Sequence, residues 1–364
     1  MRIRMAELWL EAGLDVEFVV LEATGQLMPL LPAGCTLVSL DCARLRGVLS
    51  PLVGYLRKRR PDVLLAALWP LTTIAALAGR LTATRVAVSE HGMLSVAYAK
   101  KGRVQQLLLR STLAVGFRLA DVRIGVSNGV VEDVRRLALM RRQAYVVVNN
   151  PAATSADGSP SETPAEFRQL PGPVILSVGT LKAVKNQALL IDAFARLDRN
   201  LGATLCILGE GELRQDLEAQ VARLGLRDRV LLPGFRANTR DFYASALVFA
   251  LASDHEGFGN VLVEALQAGL SIVSTDCPSG PREILADGRY GRLVPVRDAA
   301  ALAQALADAL RAPVAERQEL IARSKDFLVD TIAHRYLELM LPDLELTGRK
   351  SEASLQPLSR SPGD

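Results

Sequence analysis

Residues that build metal centres and disulfide frameworks are scarce in this sequence. Its 364 residues include four cysteines, three histidines and two tryptophans. Cys35, Cys42, Cys206 and Cys277 form no CxxC pair and fall short of the density of a secreted disulfide scaffold, which points to reduced, mostly buried thiols in a cytosolic setting. His91, His255 and His334 are never four apart, so neither a zinc site nor a multi-histidine centre is expected, and no cofactor is assigned. The N-terminus reads Met-Arg-Ile-Arg and continues as an amphipathic run, without the apolar core of a signal peptide. The longest uncharged stretch, Val63 to Gly79, is short for a membrane span and is interrupted by Pro70. A buried strand from Val63 followed by a helix from Thr72 accounts for it, and the chain is expected to be soluble.

What is present is the composition of an ordinary globular chain, 49% hydrophobic and 23% charged, and its length corresponds to about two domains. In the first half, runs starting at Asp15, Thr36, Asp62, Arg85, Val122 and Tyr145 are apolar on both faces and alternate with helical patterns. Such strands imply a parallel sheet covered on both sides. Residues 153–172 are rich in Ser, Thr, Pro and Gly and read as a linker. The alternation restarts with strands at Val174, Ala203, Arg229, Leu247 and Ser271 and helices from about Ala188, Leu213, Val261 and Ala299. The expected fold is α/β, two tandem doubly wound, Rossmann-like parallel-sheet domains with a cleft between them. Domain one spans 1–152 and domain two 173–324, followed by a helix over 325–341 and a disordered tail over 342–364.

Charge is uneven. Residues 1–160 carry 20 basic and 12 acidic side chains, leaving 23 and 27 for the remainder. The basic half suits an anionic partner such as a phospholipid surface or a lipid-linked diphosphate. Nucleic acid is not expected, because no aromatic and basic residues interleave. After Lys100 a helix sets Val104, Leu107, Leu108 and Val115 on one side and Arg103 and Arg110 on another. Two readings stand: a face that docks at a membrane interface, or a solvated helix packed on its sheet.

Chemistry concentrates in the second half. In HEGFGNVLVEALQAG from His255, a Gly-rich turn enters a helix, with Asn260 as the expected N-cap. The amides of Val261, Leu262 and Val263 and the helix dipole favour a diphosphate. Glu256 before the helix and Glu264 one turn inside it can serve polar groups on either side of that diphosphate, sugar hydroxyls at one end and ribose hydroxyls at the other. Read conservatively, both glutamates only stabilise a helix start. The turn after the strand at Ser177 places Gly179, Thr180, Lys182 and Lys185 where open α/β sheets bind ligands, and both lysines can meet the same phosphates or remain solvated. The segment LGEGELR from Leu208 puts Arg214 where a dinucleotide fingerprint needs glycine, and reads as a turn lining the cleft.

Together EGFGNVLVE, VGTLKAVKN, LGEGELR, LLPGF from Leu231, STDCPSGPREIL from Ser274, VSNGVVEDVRRL from Val126 and VVNNP from Val147 resemble glycosyltransferase family 4, retaining enzymes of the two-domain GT-B fold. The resemblance implies sugar transfer from a UDP- or GDP-sugar to a lipid-linked or polysaccharide acceptor, with retention and no obligatory metal. It implies catalytic roles for His91, Glu256 and Lys185, Glu256 beside the donor sugar and Lys185 on the diphosphate. Gly179, Thr180, Lys182, Gly257, Phe258, Gly259, Asn260, Val261, Leu262 and Glu264 would complete the donor site, Glu264 on the ribose. It also implies a last helix crossing back to the first domain and a cytoplasmic enzyme, peripheral on the inner face of the membrane. Two departures stand out. Thr180 replaces a common arginine, and the stretch from Met5 resembles the end of the family's first helix, so the first strand and its Gly-rich loop have no counterpart. A gap in the first sheet is therefore expected, from a misassigned start or from a weakened enzyme that binds nucleotide sugar without turnover. An epimerase on a similar scaffold is disfavoured by the EGFGNVLVE spacing.

Overall fold

In the computed structural model, residues 1–24, 28–154 and 162–344 are described. Most of the expected tail and part of the linker lie outside them. Every strand expected from the sequence is present. The first half contains β1 (Glu17–Val20), β2 (Thr36–Ser39), β3 (Val63–Ala67), β4 (Arg85–Glu90), β5 (Val122–Gly125) and β6 (Val146–Val147). The second contains β7 (Val174–Val178), β8 (Thr204–Leu208), β9 (Val230–Gly234), β10 (Val248–Leu251), β11 (Ser271–Thr275) and β12 (Arg292–Val294). All pairings among them are parallel.

The second sheet has the order β12-β11-β10-β7-β8-β9. This is the doubly wound arrangement, and its order reverses between β7 and β10. Ligands of open α/β sheets bind outside the carboxyl ends of the strands at such a switch point. The Gly179 turn follows β7 and the His255 turn follows β10, so topology alone brings the two chemical segments together.

The first half holds two sheets, β1-β2 and β3-β4-β5-β6. No hydrogen-bonded pairing joins these two sheets, so the first half is split. The helix Leu49–Arg59 bridges them, with Val48, Leu52 and Leu56 packed among Val19, Leu21 and Leu40 on one side and Leu64, Ile74 and Ala78 on the other. Glu17 of β1 accepts from Tyr55 Oη at 2.6 Å and pairs with Arg59, both on this helix.

The end of the linker is less loose than its composition suggests. Phe167 is buried edge-on against Phe242, and Glu166 pairs with Arg236 at 2.7 Å, so this stretch rests on the second domain. The helix Val329–Met340 packs on the first half. Ile332, Ala333, Tyr336, Leu337 and Met340 share a core with Met5, Ala87, Ile124 and Val148 of the first half.

Candidate active site

The expected site residues are held by local backbone chemistry. After β7 the chain forms a 3-10 turn, Ala183–Lys185, then Asn186 takes a left-handed conformation and caps the helix Gln187–Ala195 by accepting from the Leu189 amide at 3.3 Å. This cap projects Lys185 toward the second segment. The Asp254 amide donates to the Val184 carbonyl at 2.9 Å, and Asn186 Nδ2 donates to Asp254 Oδ1 at 3.0 Å, so the turns after β7 and β10 are sewn together. Gly209 is needed behind them, since a Cβ there would fall 2.0 Å from the Gly179 carbonyl oxygen. The LGEGELR segment thus backs the turn after β7.

Lys185 Nζ donates to Glu256 Oε1 at 2.6 Å, and Ser253 Oγ donates to the same oxygen at 2.7 Å. The Glu256 side chain is only 9% exposed and that of Lys185 26%, so this is a half-desolvated pair poised at the cleft. Across from it His91 follows β4. Its Nε2 shares a 2.9 Å hydrogen bond with Ser89 Oγ, which meets Tyr336 Oη at 3.1 Å. A cavity of about 420 Å³ is walled by Trp69, Glu90, His91 and Met93 on one side and Lys185, His255 and Glu256 on the other. The three residues expected to be catalytic therefore line one cavity.

Other expected residues fall differently. Asn260 is not the N-cap. Gly259, at φ 102°, holds that position, and Asn260 is the first helical residue, its Oδ1 accepting from Asn150 Nδ2 at 3.0 Å. The Leu262 amide is spent on the Gly259 carbonyl, so among the described residues the amides of Asn260 and Val261 are the ones left for an anion. The rings and side chains of Phe258 and Leu262 are core. Phe258 packs edge-on against Phe327, so these two positions can offer only backbone. Glu264 is held by the buried Tyr243 hydroxyl, and burial raises its carboxyl above the ordinary range. Gly179, Thr180 and Lys182 sit on the turn after β7, Thr180 and Lys182 exposed, outside the cavity wall. Among the described residues no three His, Cys, Asp or Glu gather with ligand spacing.

The domains meet in contact. The Gly257 carbonyl accepts from Ser127 Oγ and Ser279 Oγ, each at 2.8 Å. Glu283 of the second domain accepts from the Asn128 amide at 2.8 Å and from Asn149 Nδ2 at 2.9 Å. Gly257 itself lies so close to the first domain that a Cβ would fall 2.0 Å from the His91 carbonyl oxygen.

The profile of the family "Glycosyl transferases group 1" matches residues 161–327, and that of the "Glycosyl transferase 4-like domain" matches residues 3–151. This chain belongs to the family 4 type of glycosyl transferases. Among curated relatives of this glycosyl transferase chain, N-acetylgalactosamine-N,N'-diacetylbacillosaminyl-diphospho-undecaprenol 4-alpha-N-acetylgalactosaminyltransferase of Campylobacter jejuni is 36% identical over 224 residues, 61% of this chain and 60% of the relative. The lipopolysaccharide core biosynthesis glycosyltransferase LpsE of Rhizobium meliloti is 32% identical over 234 residues, 62% of this chain and 65% of the relative. The chain thus spans less than two thirds of these relatives. In fold it is similar to HepE of Anabaena, solved with UDP and glucose, at a TM-score of 0.77 and 22% identity over 94% of this chain and 95% of that one. This is the GT-B fold.

Sequence reasoning missed Glu90, which looked like the end of a strand. It is 1% exposed, accepting from the Trp69 amide at 2.9 Å and the His91 amide at 3.1 Å. Burial, aided by Asp133 and opposed by those two amides, pushes its carboxyl up to about 7. Burial, with Arg2 nearby, pulls the His91 imidazole down to about 4. Folded Glu90 favours its proton, so its stabilising contribution is whole below the ordinary value of 4.5 and lost as pH rises through about 7. Folded His91 disfavours its proton, so its contribution is whole above the ordinary 6.5 and lost as pH falls through about 4. Between 4.5 and 6.5 the two slopes oppose. Melting curves across pH should therefore show that Glu90→Gln gains stability relative to wild type as pH rises, by roughly 1 kcal/mol per unit. His91→Asn should lose it, also relative to wild type. Parallel profiles for all three proteins would contradict this.

Proposed function

We propose that this chain moves a hexosyl or N-acetylhexosaminyl group from a UDP- or GDP-sugar to a lipid-linked or polysaccharide acceptor, with retention of anomeric configuration. The observation that carries the reading is the cavity that joins the Lys185–Glu256 pair, at the switch point of the second sheet, to His91 of the first domain. The relatives named for N-acetylgalactosaminyl transfer and lipopolysaccharide core biosynthesis support the substrate class.

In this reading the donor diphosphate takes Lys185 from Glu256 and rests on the amides of Asn260 and Val261. Glu256, still held by Ser253, turns its released acceptor capacity to the sugar hydroxyls. As the bond between the anomeric carbon and the diphosphate oxygen breaks, negative charge grows on the leaving nucleotide, and Lys185 with the helix N-terminus stabilises it without a metal. The acceptor hydroxyl attacks on the same face and its proton passes to the departing phosphate. His91, neutral, contacts the sugar from the opposite wall, and Glu264 takes the ribose hydroxyls.

A thermal-shift panel of UDP-, GDP- and ADP-sugars tests donor binding, because a ligand that binds only the folded form raises the melting temperature. One or more UDP- or GDP-sugars should raise it, and Glu264→Ala should cancel that rise. The unliganded variant should itself lose about 1–2 kcal/mol, because Tyr243 keeps only the Val261 carbonyl at 3.4 Å. No shift with any nucleotide sugar would sink the reading. A second reading, binding without turnover, draws on the split first sheet, and is separated by a donor that shifts the melting point but is never consumed.

The acceptor side also favours a membrane. In the helix Arg103–Leu119, Leu109, Leu113 and Phe117 face the core, whereas Val104 is 80% exposed and Leu107 68%, beside the exposed Lys100, Lys101 and Arg103. No helix among the described residues is long and apolar enough to cross a bilayer. We propose peripheral docking of this face on the anionic inner leaflet. Val104→Asp with Leu107→Asp should abolish sedimentation with phosphatidylglycerol vesicles and leave donor binding intact. Unchanged sedimentation would remove the proposal.

A further inference from the structure

Glu90 is the one buried ionisable group of the cavity to which the proposed chemistry gives no task. Its two carboxyl oxygens are divided between two loops. Oε2 accepts from the Trp69 amide at 2.9 Å, and Oε1 accepts from the His91 amide at 3.1 Å. Both loops end in walls of the same cavity: Leu68 and Trp69 from the turn after β3, His91, Gly92 and Met93 from the turn after β4. Trp69 is fixed further by its Nε1 donating to Thr112 Oγ1 at 3.1 Å and by edge-on contact with Tyr98 at 5.2 Å. Its amide is the point where that apolar wall joins the floor that carries the histidine. Side chains of the donor half do not form this wall. They face it.

We infer that Glu90 is a positioning residue for transfer: it locks the Trp69 turn to the His91 turn, so that the acceptor wall and the donor-facing imidazole are set as one unit. This rests on the glycosyl-transfer reading only in naming the wall's occupant as the acceptor. The lock itself does not. One carboxylate accepting two amides is a charge-assisted arrangement, stronger than the two neutral bonds a protonated acid can offer. Ionisation of Glu90 should therefore tighten the Trp69 turn. The charged and titratable groups facing Glu90 are Asp133 from the helix Asn128–Ala138, His91 beside it, and Lys185, His255 and Glu256 across the cavity. Arg2 acts through His91.

The two tryptophans make the test direct, since Trp9 lies elsewhere, its Nε1 donating to the Ala333 carbonyl at 3.1 Å. In a Trp9→Phe protein all tryptophan emission comes from Trp69. That emission should titrate with a midpoint between pH 6 and 8, and the transition should vanish when Glu90→Gln is added, with far-UV circular dichroism unchanged. A pH-insensitive Trp69 in the Trp9→Phe protein, or the same transition surviving Glu90→Gln, would overturn the lock. In transfer assays Glu90→Gln should raise the acceptor KM about tenfold, the loss of one charge-assisted hydrogen bond, and raise the donor KM by less. It should also flatten the pH dependence of kcat/KM for the acceptor. Equal effects on both substrates, or none, would reject the positioning role. Failure of the wild type to transfer any sugar would count against the functional reading alone, because the fluorescence experiment needs neither substrate.

Discussion

Lys185→Ala should lower transfer by about a hundredfold to a thousandfold, the range found when one preorganised donor to a developing negative charge is removed. It should also destabilise the unliganded protein. Glu256 would then be a buried carboxylate with only Ser253 for company, and stripping one partner from a buried pair costs more than the pair contributed. Because Lys185 retains some contact with water, the loss should be about 2 kcal/mol, toward the low side of that effect. Adding Glu256→Gln removes the stranded charge, so the double variant should recover most of the melting temperature and none of the activity. This pattern separates a lysine that acts on substrate from one that merely neutralises a neighbour. If the double variant regained transfer, or if the single variant lost stability alone, the proposed role of Lys185 would be wrong.

Gly257→Ala should be as damaging for a different reason. The added methyl would stand 2.0 Å from the His91 carbonyl oxygen, backbone that has no rotamer with which to yield. The two domains must separate at that point, and a displacement near 1 Å of reacting groups costs about a hundredfold in rate. No sheet is shared between the two domains, so circular dichroism should be unchanged while small-angle scattering reports a more open particle. Wild-type scattering together with wild-type rate would show that the contact is not needed for transfer. Closure of this kind excludes water and assembles a site from two halves.

Much of this was legible in the sequence because the signals were local. Apolar runs such as VLLAAL and VILSV announced parallel strands, the second buried as expected and the first only half-buried, and Gly-rich turns after two of them announced loops at strand ends. That Lys185 and Glu256 belong to one site could be read from the two motifs together. Three things could not be read, each for a physical reason. Asn260 has the chemistry of a cap, but Gly259 in a left-handed conformation ends the loop one residue earlier and takes the position. Phe258 stands between two glycines of a motif, yet its ring is drawn inward by Phe327, a partner 69 residues away that no local pattern announces. Glu90 closes a strand of alternating Val, Ala and Ser. Its importance lies in the two amides that tertiary folding brings to it. The first half is split into two sheets, and the means of holding its parts together, Tyr55 and Arg59 reaching Glu17, had no local signal.

The hydroxyl relay from Tyr336 through Ser89 to His91 has a consequence for how the molecule is made. Synthesis runs from the amino end, so the histidine's strand leaves the ribosome nearly 250 residues before the tyrosine that completes its surroundings. Until that late helix docks, a nascent first half has its imidazole without this restraint, and the chain acquires a finished cavity wall only when translation has passed almost every other residue named above.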